Sequence, residues 1–396
     1  MAVRGKYSSA EKKMLAEYEK EADTRVGWCK PFMGTVPVVT AEMMKSLAVG
    51  SDPWNPFYRS ESYAAATRWG GLIGLPWILD NYKPEGRLPV VPGDAGFRTF
   101  LWLGENWEFF QPVRPGDTIR GWARRPRLMD ATGLDGKGPR KFNYVDVDGD
   151  LINQRDEIVS SVILWLEVTI HPKQPKYWFI PDYGFTLEEL DYIGKVTEGE
   201  QIRGAKIRYW EDVKAGEELI PVVLGPTSIN TGFPGGMPPG FGRPDEIPKR
   251  TFERYIKPTS GPVTGPWVPD PDTGLIHTHT GRHSDDRAAH FEGEPKAFLF
   301  AAQSRAALTR LVTNWMGDDG FIRKFGWRHL YRDPIGDCLI VCGKVAKKYI
   351  ENGEHLIDIK GWTQNFRGNI GVVNTATVKL ISKDEPYPNV KKVIKC

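Results

Sequence analysis

Two segments some 220 residues apart are built alike: Gln111-Pro112-Val113-Arg114-Pro115-Gly116-Asp117-Thr118-Ile119 and Tyr331-Arg332-Asp333-Pro334-Ile335-Gly336-Asp337-Cys338-Leu339. Each follows an apolar run and leads through a Gly-Asp turn into an alternating stretch, which is how two strands are joined. The surroundings repeat too. A helical segment precedes each turn, Glu61 to Thr67 then Leu72 to Asn81 in the first half, and Asp285 to Phe291 then Ala297 to Trp315 in the second. A repeat at this distance is a duplicated domain, not a solenoid. Each copy must therefore bury a helix against antiparallel strands.

The run from Ala297 to Trp315 holds Phe298, Phe300, Ala301, Ala302, Ala306, Ala307, Leu308, Leu311 and Val312, apolar nearly all round. Such a helix belongs inside a fold. β-type runs follow at Cys338 to Ala346, His355 to Trp362 and Ile370 to Ile381, with first-half matches at Phe97 to Phe110, Thr118 to Ala123 and Ile158 to Ile170. The pattern is α+β, helix against antiparallel sheet. It places one domain at 1–171, a linker at 172–204 and a second domain at 205–396. In the linker, Thr186 and Glu189 form a capping-box pattern for a short helix over Phe185 to Ile193. A Gly/Pro-rich insertion at 230–274 reads as a lid or wall over the second half, or as a plain surface excursion.

Net charge is +3, which excludes a dedicated nucleic-acid binder but leaves room for a local basic patch. No apolar run is long enough for a membrane span, and charged Met1 to Glu21 reads as a surface amphipathic helix, not a secretory signal. The cysteines are Cys29, Cys338, Cys342 and Cys396. Cys338 and Cys342 share one side of a strand and read as buried thiols, and the pattern suits a reducing cytoplasm.

The chain carries Asp52-Pro53-Trp54-Asn55-Pro56-Phe57-Tyr58, followed by Ala64-Ala65-Ala66-Thr67-Arg68-Trp69-Gly70-Gly71-Leu72-Ile73. It resembles the hydratase loop D-x-N-P-x-H of the MaoC-like dehydratases and (R)-specific enoyl-CoA hydratases. Arg203-Gly204-Ala205 with Arg208 to Val213, and Val312 to Gly320 behind the Asp285-Asp286-Arg287-Ala288-Ala289 helix, extend the resemblance over nearly the whole chain. It implies a double hot-dog fold, a FAS1-like dehydratase first half, and reversible water addition to a 2-enoyl thioester. The substrate implied is an acyl-CoA with no separate cofactor, and the assembly implied is a homo-oligomer without nucleic acid or membrane.

That reaction needs a base for water, an acid for Cα and donors for the thioester oxygen. In the first half, Tyr58 stands at the family histidine and Pro53 at its aspartate, with Asp52 one residue displaced. A phenol is a poor base at neutral pH, so this half reads as silent, with a groove offering room for an acyl tail. Asn55 and Pro56 read equally as a turn pair. In the second half His283 aligns with the histidine, while Thr278, Thr280 and Gly281 replace the Asp, Asn and Pro. His279 or Asp285 is a candidate partner for His283, and helix-start surface histidines are the plain alternative for His277, His279 and His283. Zinc at this cluster lacks a distinctive spacing, so no metal is expected.

The resemblance places the oxyanion donors at backbone near Phe300, Ala301 and Ala302, with Gln303 adjacent and Gly71 the first-half counterpart. CoA phosphates would find Arg120, Arg124, Arg125 and Arg127, or Lys344, Lys347 and Lys348; solvated strand ends are the alternative. The 14 tryptophans, 18 phenylalanines and 14 tyrosines suit a packed core or a roomy pocket for a bulky acyl group. The expected activity is that of a hydro-lyase. The alternatives are a silent acyl-CoA-binding partner subunit, a thioesterase or another lyase.

Overall fold

The computed structural model describes residues 7–29, 38–84, 97–133, 140–171, 179–228, 283, 286, 289 and 294–384. The helices are α1 (Ser9–Thr24), α2 (Ala41–Ser51), α3 (Glu61–Ala65), α4 (Leu187–Glu198) and α5 (Ala301–Met316). The strands are β1 (Gly27–Cys29), β2 (Phe97–Phe109), β3 (Arg120–Ala123), β4 (Arg127–Asp130), β5 (Arg140–Ile152), β6 (Ile158–His171), β7 (Val222–Leu224), β8 (Phe321–His329), β9 (Leu339–Glu351), β10 (Glu354–Asn365) and β11 (Ile370–Lys379).

The strands form one antiparallel sheet in the order β1-β3-β5-β6-β2-β8-β11-β10-β9-β7, with β4 added to β5. Read inward from its two ends, the order matches strand for strand: β1 with β7, β3 with β9, β5 with β10, β6 with β11, and β2 with β8. β2 and β8 meet at the centre, where Asn106 faces Gly326. The duplication is therefore a pseudo-twofold about the β2–β8 pair. One apolar cluster draws Ile78, Trp107 and Val162 from the first half and Leu308, Phe325 and Ile357 from the second.

α5 is the buried helix expected from its composition. Every side chain in it except Ala302 and Arg310 is buried. Its first-half counterpart is not the apolar α-helix expected over Leu72 to Asn81. It is a 3-10 helix, Pro76–Tyr82. Pro76 forces Leu75 into an extended conformation, with ψ 148°, and Pro84 follows eight residues later. Too few residues lie between the prolines for a long helix. α2 takes part of the vacated role. It is capped by Thr40, whose hydroxyl accepts from the Met43 N–H, and it packs against α5.

α1 is more than a surface helix. Met14, Tyr18 and Ala22 are buried against Phe142, Tyr144, Val168 and Ile170 on β5 and β6. The linker helix forms as α4 with both capping-box bonds in place, Glu189 N–H to Thr186 Oγ1 and Thr186 N–H to Glu189 Oε2. Cys338 is fully buried and Cys342 partly so, and burial pushes the Cys338 thiol up to about 12. The 230–274 insertion lies outside the described residues.

Candidate functional site

Two pairs of backbone hydrogen bonds align the helix starts of the halves. Gly74 N–H donates to Val113 O and Leu299 N–H to Asp333 O, both at 2.9 Å; Ile78 N–H donates to Leu75 O and Gln303 N–H to Phe300 O, both at 3.0 Å. Leu75 is thus the counterpart of Phe300, Pro76 of Ala301 and Trp77 of Ala302. Tyr58 and His283 each sit in a 3-10 turn ahead of these starts.

In the second half the His283 ring stacks on Phe300 at 3.9 Å between centroids and meets Phe298 edge-on at 4.6 Å. Its Nδ1 lies 2.8 Å from Phe298 O. A carbonyl only accepts, so Nδ1 carries the proton and Nε2 is the basic nitrogen. Phe300 is the N-cap of α5, and its N–H donates to the Gln303 side-chain oxygen at 3.0 Å. Gln303 is thereby spent on holding the helix start, and the first-turn N–H groups of Ala301 and Ala302 face an end where the helix dipole favours negative charge. The structure brings His283, Phe300, Ala301, Ala302 and Gln303 together. His277, His279 and Asp285 lie outside the described residues. The neighbouring acid Asp286 is committed elsewhere, accepting from Lys296 Nζ at 3.0 Å and Ala297 N–H at 2.9 Å.

Asp333 escaped the sequence reading. Its carbonyl anchors Leu299, and its buried carboxyl accepts from Asn365 Nδ2 at 3.0 Å. Burial pushes this carboxyl up to about 7. The signal was present: Asp333 stands where the first-half echo has apolar Val113.

The first-half residues do different work. Asp52 caps the C-terminal end of α2, buried, and its Oδ2 accepts from Asn55 Nδ2 at 3.1 Å and from Thr313 Oγ1 of α5 at 2.8 Å. Burial raises its pKa to about 6. Asn55 Oδ1 also accepts from Phe57 N–H at 3.1 Å, which makes Asn55 and Pro56 the turn pair of this loop. Gly71 lies beside the Arg114 guanidinium, in the segment that leads to the 3-10 helix at Pro76. Tyr58 lines an apolar cleft of about 430 Å³, open mouth included, together with Ile73, Leu75, Leu79, Phe109 and Met316. The Gly74 N–H there is taken by Val113, and Pro76 has none to give.

Of the expected phosphate-binding cations, the four arginines are paired with carboxylates. Arg120 meets Asp156 at 2.6 Å, Arg124 meets Asp148 and Asp150, Arg125 meets Asp23 at 2.7 Å, and Arg127 meets Asp148 at 2.9 Å. Lys348 donates to the carbonyls of Glu211 and Val213. Among the described residues no group of three or more potential metal ligands occurs, and no helix is long and apolar enough to cross a membrane.

An antiparallel sheet repeated about a pseudo-twofold, with a buried helical segment packed on each half (α5 in the second, the shorter 3-10 helix Pro76–Tyr82 in the first), defines a double hot-dog protein. Residues 29–162 match the FAS1-like dehydratase domain region. A solved structure described as a MaoC-like dehydratase shares the fold, with a TM-score of 0.55 and 13% identity over 91% of this chain and 100% of that one. Two more resemble it with TM-scores of 0.48 and 0.47. They are a putative MaoC domain protein dehydratase from Chloroflexus aurantiacus J-10-fl (13% identity, 91% of this chain, 96% of that one) and a double hot-dog conserved hypothetical protein from Mycobacterium tuberculosis (10% identity, 96% and 99%). No curated protein sequence matches the chain.

Proposed function

We propose that the chain is a hydro-lyase that adds water to, or removes it from, an enoyl or 3-hydroxyacyl-CoA thioester at the start of α5. The observation that carries this reading is the His283 ring, fixed through Nδ1 on Phe298 O and stacked on the N-cap residue Phe300. In hydration, Nε2 takes a proton from water as its oxygen bonds to Cβ. The electron pair of the Cα–Cβ double bond shifts toward the thioester oxygen, where the Ala301 and Ala302 N–H groups meet the developing charge. The imidazolium then returns a proton to Cα. One imidazole suffices for both transfers, which fits the Thr278 that replaces the family aspartate.

The test is a panel of enoyl-CoA thioesters followed by loss of the conjugated enoyl absorbance. His283→Ala should lower turnover by about 10²- to 10⁴-fold, the usual worth of a positioned acid–base group, with thioester binding retained. Full activity in that variant sinks the proposal. Binding without turnover by the unaltered chain would instead support the silent partner subunit, a reading favoured by the commitment of Asp286 to Lys296.

A further inference from the structure

The two central strands fix which residue of one half stands for which in the other. Gly104 faces Arg328, and Glu108 faces Lys324. A twofold exchanges these pairs only if Gly104 answers to Lys324 and Glu108 to Arg328. By the same step Trp107 answers to Trp327 and Phe109 to His329. The turn beyond keeps the offset, with Val113 answering to Asp333. Phe109 and Tyr58 line one wall together. The half that has His283 in place of Tyr58 therefore has a second histidine in place of Phe109.

β8 brings His329 to the start of α5. Trp327 shares the Glu105 carboxylate with Arg305 in the second turn of α5, and His329 lies one two-residue period farther toward the helix start. Phe325 and Trp327 face the core, so His329 faces the same way, and its ring meets Trp327 edge-on at 5.2 Å. In the first half the Trp77 ring lies 6.4 Å from Phe109. Ala302 takes the place of Trp77 on α5, and both Ala302 and His329 are half-buried. Arg332, whose charge acts on His329, lies 5.7 Å from the centroid of Phe298, the ring that His283 meets edge-on.

Burial first, then the Arg332 charge, push the His329 pKa down to about 4, against an opposing effect of the Tyr331 backbone. The ring is thus neutral near pH 7, and it adds no charge that would weaken His283 as a base. Its Nδ1 is enclosed without a hydrogen-bond partner among the described residues, and Nε2 is not so enclosed.

We propose that His329 is a second imidazole of the reaction site, whose Nε2 hydrogen-bonds the oxygen that is added to or lost from Cβ. This rests on the hydro-lyase reading. In hydration the water gives its proton to His283 while His329 holds its oxygen in place, and no proton passes to His329. Water and the 3-hydroxyl group both donate and accept, so either neutral tautomer of His329 can meet them.

Calorimetric titration of the His283→Ala chain, whose turnover is all but stopped, compares 3-hydroxyoctanoyl-CoA with octanoyl-CoA. The hydroxyl should tighten binding by about 3- to 10-fold, the worth of one hydrogen bond. Adding His329→Phe puts in the residue type of the first half. It should erase the preference and leave octanoyl-CoA affinity and thermal unfolding unchanged. His329→Gln keeps a neutral hydrogen-bonding group and should keep the preference. With His283 present, His329→Phe should lower turnover by up to about 10²-fold at unchanged KM, the cost of a misplaced reactant, and His329→Gln should lower it less. Equal binding of the two thioesters, a preference that survives His329→Phe, its loss in both variants, or full turnover in His329→Phe would each overturn this inference alone. A chain that binds neither thioester overturns it together with the hydro-lyase reading. A chain that shows the preference and turns nothing over overturns only that reading.

Discussion

Asp80 and Arg305 occupy equivalent places in the helices of the two halves, and they bond to each other across the pseudo-twofold, Nη2 to Oδ2, at 2.8 Å. Around them lie Glu105 of β2, 2.6 Å from Arg305 Nη1, and Lys83, 2.7 Å from Asp80 and 3.3 Å from Glu105. The Trp327 indole N–H donates to Glu105 at 3.0 Å, and the Arg305 guanidinium lies 4.2 Å from the Trp77 ring centroid. Two acids and two bases leave the cluster neutral. It fastens the first turns of α5, and with them the proposed oxyanion donors, to first-half residues.

Because the four charges are largely withdrawn from water, removing one leaves the others uncompensated. Glu105→Gln or Arg305→Met should each lower unfolding free energy by about 3–5 kcal/mol in urea titrations. The double variant Glu105→Gln/Arg305→Met should cost less than the sum of the two, because its second change removes a charge the first has already stranded. Strict additivity would show that the two residues act independently.

Acid should weaken the same cluster. Burial alone would raise the Asp80 pKa, but the Arg305 and Lys83 charges outweigh it and hold this carboxyl well below the usual carboxylate range. A depressed pKa contributes stability that is present above the unfolded value, near 4, and is lost as pH falls toward the folded one. Stability of the unaltered chain should therefore decline below about pH 4 more steeply than that of Asp80→Asn. Parallel profiles from pH 5 to pH 2.5 would refute the assignment.

Asp52 carries the opposite sign. Its folded pKa, raised to about 6 by burial, means that its contribution is complete below pH 4 and is lost as pH rises through 6. The two-unit shift corresponds to about 3 kcal/mol at most. Asp52→Asn keeps an oxygen for Asn55 and Thr313, so it should match the parent near pH 4 and exceed it in unfolding free energy at pH 8. A deficit at pH 8 would mean that the charge itself is needed.

Much of this organisation was legible in the sequence, and the failures have physical causes. The Gly-Asp echoes located the duplication because turn chemistry is local: Gly116 and Gly336 adopt φ of +91° and +97°, which few other residues tolerate. The apolar residues spread round the run from Ala297 to Trp315 announced a buried helix. β5 was overlooked although Phe142, Tyr144, Val147 and Leu151 are buried along it. A register shift between Val145 and Val147 breaks its two-residue period. The Leu72 to Asn81 segment read as α-helical because apolar content was weighed above Pro76. The charged cluster was invisible because Asp80, Glu105 and Arg305 are far apart in the chain and meet only through the pseudo-twofold. The position of His283 followed from alignment with the loop motif; that its Nδ1 proton is held by Phe298 O could come only from structure.

The sharpest contrast between the halves is one backbone N–H. Pro76 occupies the first helical position in the first half, and Ala301 occupies it in the second. Proline is tolerated at that position, where the N–H has no partner inside the helix. Ala301→Pro should therefore leave α5 and overall stability within about 1 kcal/mol of the parent, since it only fixes a φ the helix already adopts. If Ala301 N–H stabilises the thioester oxygen in the transition state, turnover should fall by about 10²- to 10³-fold, the usual loss of one oxyanion donor, with little change in thioester affinity. Steady-state kinetics beside urea unfolding of the same variant distinguish the cases. Unchanged turnover would move the oxyanion site away from the start of α5, whereas joint loss of stability and turnover would mark Ala301 as a packing residue.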